Sequence, residues 1–145
     1  MRIALSADHA GFELKDLLAA WLAEEGHEVI DLGTNSPDSV DYPDFGASLG
    51  RAVASGDADR GIAVCGSGIG IAIAANRNPG CRCAQVNEPL SATLARTHND
   101  ANAIALGARL IGPDMAKACV AAFLATDFEG GRHQRRVDLL SQPKD

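Results

Sequence analysis

Cys65-Gly66-Ser67-Gly68-Ile69-Gly70 places a thiol directly before a glycine-rich turn. The apolar run Gly61-Ile62-Ala63-Val64 precedes it and Ile71-Ala72-Ile73-Ala74-Ala75 follows, the pattern of a short buried strand and a helix packed on it. The sulfur then falls at the strand's C-terminal end, where glycine N–H groups and a helix N-terminus can face an anion. The same field stabilises negative charge on a nearby sulfur. A base beside an anion cradle is equipment for proton transfer, with Ser67 and the loop amides holding an oxyanion. The plain alternative is a small buried thiol.

Familiar loop chemistries do not fit. A phosphatase-type Cys-x5-Arg loop needs Arg where the chain has Ile71, and the hydrolase elbow G-x-S-x-G fails because Cys65 and Ile69 occupy its outer glycine positions. The dinucleotide fingerprint aligned on Gly66 and Gly68 again demands glycine at Ile71, and no Lys-Ser or Lys-Thr follows the loop as a P-loop requires.

Further candidates lie at other element ends. Asp8-His9 follows the first strand and reads as a ligand pair or as a helix cap with a surface imidazole. His98-Asn99-Asp100 lies between an amphipathic helix and a buried strand, where an imidazole suits acid–base work on a sugar hydroxyl. Arg109 follows the fifth strand. Arg132 and Arg136 share one face if helical, with His133 and Arg135 adding positive potential. Paired guanidinium groups suit phosphate, and the alternative is a solvated basic helix. No clustered ligand set marks a metal site: Asp41 with Asp44, or Asp8 with His9, is too sparse.

These residues need a scaffold. The chain has 145 residues, 46% hydrophobic and 22% charged, with a net charge of −6. That size suits one domain spanning 1–145, and the acidic balance argues against general nucleic-acid binding and anionic membranes. No apolar run reaches about 18 residues, and the start of the chain lacks a signal-peptide layout, so the expected location is cytoplasmic. Four cysteines show neither disulfide density nor zinc spacing; Cys81, Cys83 and Cys119 read as packing thiols.

Strands are expected at 2–7, 27–32, 61–65, 82–87 and 102–106, and helices at 12–25, 43–55, 68–76, 89–97, from 113 onward, and at 132–141. Leu14, Leu17, Leu18, Trp21 and Leu22 form the apolar stripe of the first helix, and Ala116, Cys119, Val120, Phe123 and Leu124 that of the fifth. Strands separated by helices imply an α/β fold, a three-layer α/β/α sandwich around a parallel sheet. Ligands in such folds bind beyond the strands' C-terminal ends.

The ordered blocks Asp8-His9-Ala10-Gly11-Phe12, Asp41-Tyr42-Pro43, Cys65 to Gly70, Ala74-Ala75-Asn76, Asn87-Glu88-Pro89, His98 to Asn102 and Glu129 to His133 resemble the ribose-5-phosphate isomerase B family, which includes allose-6-phosphate and galactose-6-phosphate isomerases. The resemblance implies a five-stranded Rossmann-like sheet with an extra C-terminal helix. It implies interconversion of phosphorylated aldoses and ketoses through a cis-enediolate, without metal or organic cofactor, in a dimer or tetramer whose active sites are shared between subunits.

By that resemblance Cys65 is the base that moves a proton between C2 and C1. The loop Gly66, Ser67, Gly68, Ile69 and Gly70 is the anion hole, and His98, with Asp8 nearby, opens the furanose ring. His9, Asn99, Arg109, Arg132 and Arg136 fall on sugar- or phosphate-binding positions, with at least one arginine from the neighbouring subunit. A family branch with a glutamate base would carry it at Ile71, which leaves Cys65 as the base here; the thiol branch often has Thr at Ser67. Ribose 5-phosphate is the expected substrate. The rivals are a hexose 6-phosphate isomerase and a non-catalytic sugar-phosphate-binding subunit.

Overall fold

The computed structural model describes residues 1–142. Five strands, β1 (Arg2–Ala7), β2 (Glu28–Asp31), β3 (Arg60–Cys65), β4 (Cys83–Gln85) and β5 (Ala103–Gly107), form one sheet in the order β2-β1-β3-β5-β4. Every pairing is parallel. The helices are α1 (Phe12–Glu24), α2 (Tyr42–Ala54), α3 (Ile69–Asn76), α4 (Pro89–Asn99), α5 (Pro113–Ala125) and α6 (Gln134–Leu140). The order of strands reverses between β1 and β3, so the loops after these two strands flank a topological switch point.

Alternation along the strands divides the core unequally. Ile3, Leu5, Ile62, Val64, Ile104 and Leu106 point to one face and meet Leu14, Leu18, Leu22, Cys119, Val120 and Phe123. The opposite face carries Ala4, Ala63, Cys65, Ala103 and Ala105 under α2 and α3. Small strand residues let those two helices sit low, and glycines let them touch. A Cβ on Gly46 would stand 2.6 Å from the Ala74 Cβ, and one on Gly50 2.6 Å from the Ala75 carbonyl oxygen. Only glycine permits that approach.

Three expectations are corrected. Strand 82–87 shortens to Cys83–Gln85, an edge strand with one neighbour. The terminal helix 132–141 is instead a 3-10 turn, Gly131–His133, leading into α6. The α1 stripe leaves Leu17 exposed and draws Lys15 inside at 0% exposure. The Lys15 ammonium donates to Asp31 Oδ1 and Asn35 Oδ1, both at 2.7 Å, which offsets the desolvation of its charge. Cys81, Cys83 and Cys119 are free and buried as expected; burial pushes the Cys81 thiol up to about 11 and raises that of Cys83.

Candidate active site

Cys65 ends β3 beside Gly107, the last residue of β5. Its residue is 5% exposed, yet it lines an open cleft of about 600 Å³ together with Asp8, Tyr42, Gly66, Ser67, Ile69, Gly70, Ile73, Arg109 and Leu110. The backbone N–H of Gly68 donates to its Sγ at 3.1 Å, a contact that strengthens as the sulfur gains negative charge. Gly68 has φ +77, and a Cβ there would stand 2.8 Å from the Leu106 carbonyl carbon. A Cβ on Gly107 would meet the Ser67 carbonyl oxygen at 2.7 Å. The loop is therefore pressed onto the end of β5 at positions open only to glycine.

The Ser67 hydroxyl accepts from the Ile69 N–H at 3.2 Å, and Gln85 Nε2 donates to the Ser67 carbonyl at 3.2 Å. Arg109 lies over Gly66, where a Cβ would stand 3.3 Å from its Nη1. On the other side of the switch point, Asp8 Oδ1 accepts from the Ala10 and Gly11 N–H groups at 3.0 and 3.1 Å. Asp8 thus closes the turn before α1 and does not cap the helix, whose N-cap is Gly11 without a side-chain bond, and it also lines the cleft. His9 is half-buried, and its Nδ1 accepts from the Val40 N–H at 3.2 Å.

The remaining sequence candidates lie elsewhere in the chain. Helix α4 runs back across the sheet, so His98 and Asn99 reach its N-terminal edge, where the Gly61 N–H donates to the Asn102 carbonyl. Gly61 and Cys65 are four strand residues apart, about 13 Å. Within one chain His98 is therefore not beside Asp8 or Cys65. Asn99 lines a separate cavity of about 330 Å³ with Asn76, Arg82 and Leu140.

This second region has its own framework. Asp100 takes a left-handed conformation (φ +43) at the end of α4. Arg96 Nη1 donates to its Oδ1 at 2.8 Å and Arg82 Nη2 to its Oδ2 at 3.3 Å. Arg96 Nε also donates to the Thr126 carbonyl at 3.0 Å, and the Glu129 N–H to the Thr97 carbonyl at 3.2 Å. These bonds carry the last segment under α4, where the rings of His98 and His133 stack with centroids 4.4 Å apart and planes at 17°. Burial, with His98 and Arg132 adding positive charge nearby, holds the His133 pKa below its ordinary value. Arg132 and Arg136 are exposed, and among the described residues neither has an ion-pair partner.

Sequence reasoning missed Tyr42 and the His98–His133 stack. Tyr42 opens α2 directly before Pro43, and its ring lies so close to Gly70 that a Cβ there would meet it at 2.7 Å. The Tyr-Pro start of a helix was the available signal. The stack joins residues remote in sequence and had none.

A thiol-lined cleft at the switch point of a parallel sheet is characteristic of α/β proteins, a class whose ligands bind beyond the strand ends. The chain belongs to the ribose/galactose isomerase family, whose model matches residues 3–140. Ribose-5-phosphate isomerase B of Escherichia coli (strain K12) is 48% identical over 140 residues, covering 97% of this chain and 94% of that protein. The Clostridium thermocellum ribose-5-phosphate isomerase B structure matches with a TM-score of 0.96 at 48% identity, covering 97% of this chain and 95% of that one. Ribose-5-phosphate isomerase B from Mycoplasma genitalium with bound ribulose-5-phosphate gives 0.92 at 39% identity, covering 97% and 93%. By these likenesses the chain is an aldose–ketose isomerase.

Proposed function

We propose that the enzyme interconverts D-ribose 5-phosphate and D-ribulose 5-phosphate through a cis-enediolate, with Cys65 as the base. The observation that carries this reading is the Cys65 sulfur on the cleft wall with the Gly68 N–H directed at it. The thiolate takes the proton from C2 of the open-chain aldose, the electron pair moves into the C1–C2 bond, and the carbonyl oxygen becomes an oxyanion. A proton passes from the C2 hydroxyl to the C1 oxyanion, the C2–O bond becomes the new carbonyl, and the carbon-bound proton returns at C1, so the step is redox-neutral within the sugar. A carbon acid of this kind ionises fast only when the developing charge meets preorganised donors. The amides of Gly66, Ser67 and Gly70 and the Ser67 hydroxyl are the donors in this reading, while those of Gly68 and Ile69 hold Cys65 Sγ and Ser67 Oγ.

His98 opens the ring and Asp8 orients a sugar hydroxyl. His9, Asn99 and Arg109 hold hydroxyls or phosphate, and Arg132 and Arg136 hold phosphate. Because His98, Asn99, Arg132 and Arg136 are displaced from the cleft of their own chain, they serve a neighbouring subunit's cleft in a homo-oligomer, two half-sites making one. Residues 1–145 act as one domain, and the reaction is placed in the cytoplasm.

An assay of purified protein with ribose 5-phosphate in deuterated water tests the proposal. Turnover with solvent deuterium entering the ribulose 5-phosphate product at C1 is the expected result; binding without turnover would leave a sugar-phosphate-binding subunit. The family's breadth and the open cleft keep a hexose 6-phosphate as the second reading. A higher kcat/KM for allose 6-phosphate than for ribose 5-phosphate would select it.

A further inference from the structure

We propose that His98, Glu129 and His133 form a binding site for a divalent transition metal of the zinc class. One ligand atom from each residue lies within 4.8 Å of the others. The His133 residue is 6% exposed, and its Nε2 is buried without a hydrogen-bond partner among the described residues. That nitrogen stands 3.5 Å from Glu129 Oε2. Buried polar atoms are rarely left unpaired, and one that is calls for an absent partner. Two imidazoles and a carboxylate are a donor set that zinc accepts with a fourth position open. Hard cations such as magnesium prefer oxygen ligands throughout and fit it poorly.

The three residues come from two segments already fixed to one another, the end of α4 and the stretch from Glu129 to His133. Arg96 and Arg82 hold the end of α4 through Asp100, the Glu129 N–H is bonded to Thr97, and the His133 N–H donates to the Gly130 carbonyl at 3.1 Å. Tetrahedral zinc with bonds of about 2.0–2.2 Å needs donors roughly 3.3–3.5 Å apart. The most distant pair must therefore close by up to about 1.4 Å, with Glu129 swinging in from solvent. The stacked rings must also splay, since the in-plane lone pairs of parallel imidazoles do not converge. Arg132 and Arg136 oppose a cation, which sets the affinity below that of an enclosed structural zinc site and favours a metal carrying an anion in its open position. Inhibition of isomerisation by the metal rests on the reading of His98 given above, because a coordinated imidazole cannot open the ring.

Metal-free purified protein is titrated with Zn²⁺ against a chromophoric chelator, and separately with Co²⁺. The expected result is one ion per chain, with affinity falling at least about tenfold in both Glu129→Gln and His133→Gln, since even outer-shell partners of a metal cost that much. The Co²⁺ complex should lack a thiolate charge-transfer band, which excludes the four cysteines as ligands. Glu129 is exposed, so its variant tests the site even if His133→Gln fails to fold. Unchanged affinity in Glu129→Gln, a thiolate band, or no saturable Zn²⁺ binding overturns the proposal. Saturable binding with isomerisation undisturbed supports the metal site and counts against the ring-opening role of His98.

Discussion

At the C-terminal edge of the sheet the candidate site is shaped by backbone. The loop after β3 is fixed by Gly68 and Gly107 pressed against β5, and the Gly68 and Ile69 amides are held on Cys65 Sγ and Ser67 Oγ. At the N-terminal edge it is carried by side chains: two stacked imidazoles, a carboxylate and exposed arginines hung from the Arg96–Asp100–Arg82 network. In the proposed reading the first region supplies a base and an oxyanion cradle, and the second supplies cations for the phosphate. Each has what the other lacks, and about 13 Å of strand separates them within a chain. Under the proposed reading, the difference teaches that one subunit displays two complementary half-sites rather than one complete site.

The largest effect falls on the first region. Cys65→Ala should lower kcat by roughly a thousandfold or more, about 4 kcal/mol of barrier, with substrate binding and the circular dichroism spectrum retained. Loss of less than tenfold would remove sulfur as the base. Mixing separates the two regions directly. Cys65→Ala and His98→Ala homo-oligomers should each be inactive, but co-refolded equimolar chains should recover about a quarter of wild-type activity. Random pairing in a two-fold dimer makes half the dimers mixed, each with one intact site. No recovery would mean that both residues act within one chain.

Rigidity should divide along the same line. Gly68→Ala places a Cβ against β5 at φ +77, and strain plus overpacking should cost about 3 kcal/mol, a fall in Tm of roughly 10 °C. Gly130→Ala, at φ +65 with nothing within 4 Å, should cost only about 1 kcal/mol of backbone strain. Equal losses would show that packing at β5 does not hold the cradle.

The cradle region was legible because its cause is local. An apolar run, a thiol and closely spaced glycines specify a strand, a turn and a helix start, and Asp8 lies at the equivalent point of β1. Parallel pairing followed from alternation, but the order β2-β1-β3-β5-β4 did not, since no local pattern says which strand β5 inserts beside. The second region was legible only as residue types. Arg132 sits in a 3-10 turn rather than on a helix with Arg136, and His133 goes inside because α4 lies over it. Lys15 shows the same limit: helical periodicity placed it beside the apolar stripe, while Asp31 and Asn35 make its burial tolerable. Tertiary partners decided these cases, and spacing does not encode them.

A smaller effect tests the basic face. Arg136→Ala removes an exposed side chain without an ion-pair partner among the described residues, so Tm should move little. Loss of a charge-assisted phosphate contact should raise KM about tenfold with kcat nearly constant. An unchanged KM would take Arg136 out of the phosphate site and leave the basic face a solvated surface.

The smallest effect is in the pH dependence of stability. Burial and the positive charge of His98, Arg132 and Arg136 hold the folded His133 pKa below its ordinary 6.5, against the opposing pull of Glu129. Between those two values the unfolded chain binds more protons than the folded one, so this contribution is intact above pH 6.5 and lost progressively as pH falls below it. His133→Gln has no such group to protonate and should show a shallower decline in denaturation free energy across that window. The backbone-built edge predicts no matching change: Gly68→Ala should shift the whole stability curve down and leave its slope with pH unaltered. If His133→Gln instead retains the wild-type slope, the acid sensitivity belongs to other groups, and the stacked imidazoles are held together without cost at any pH.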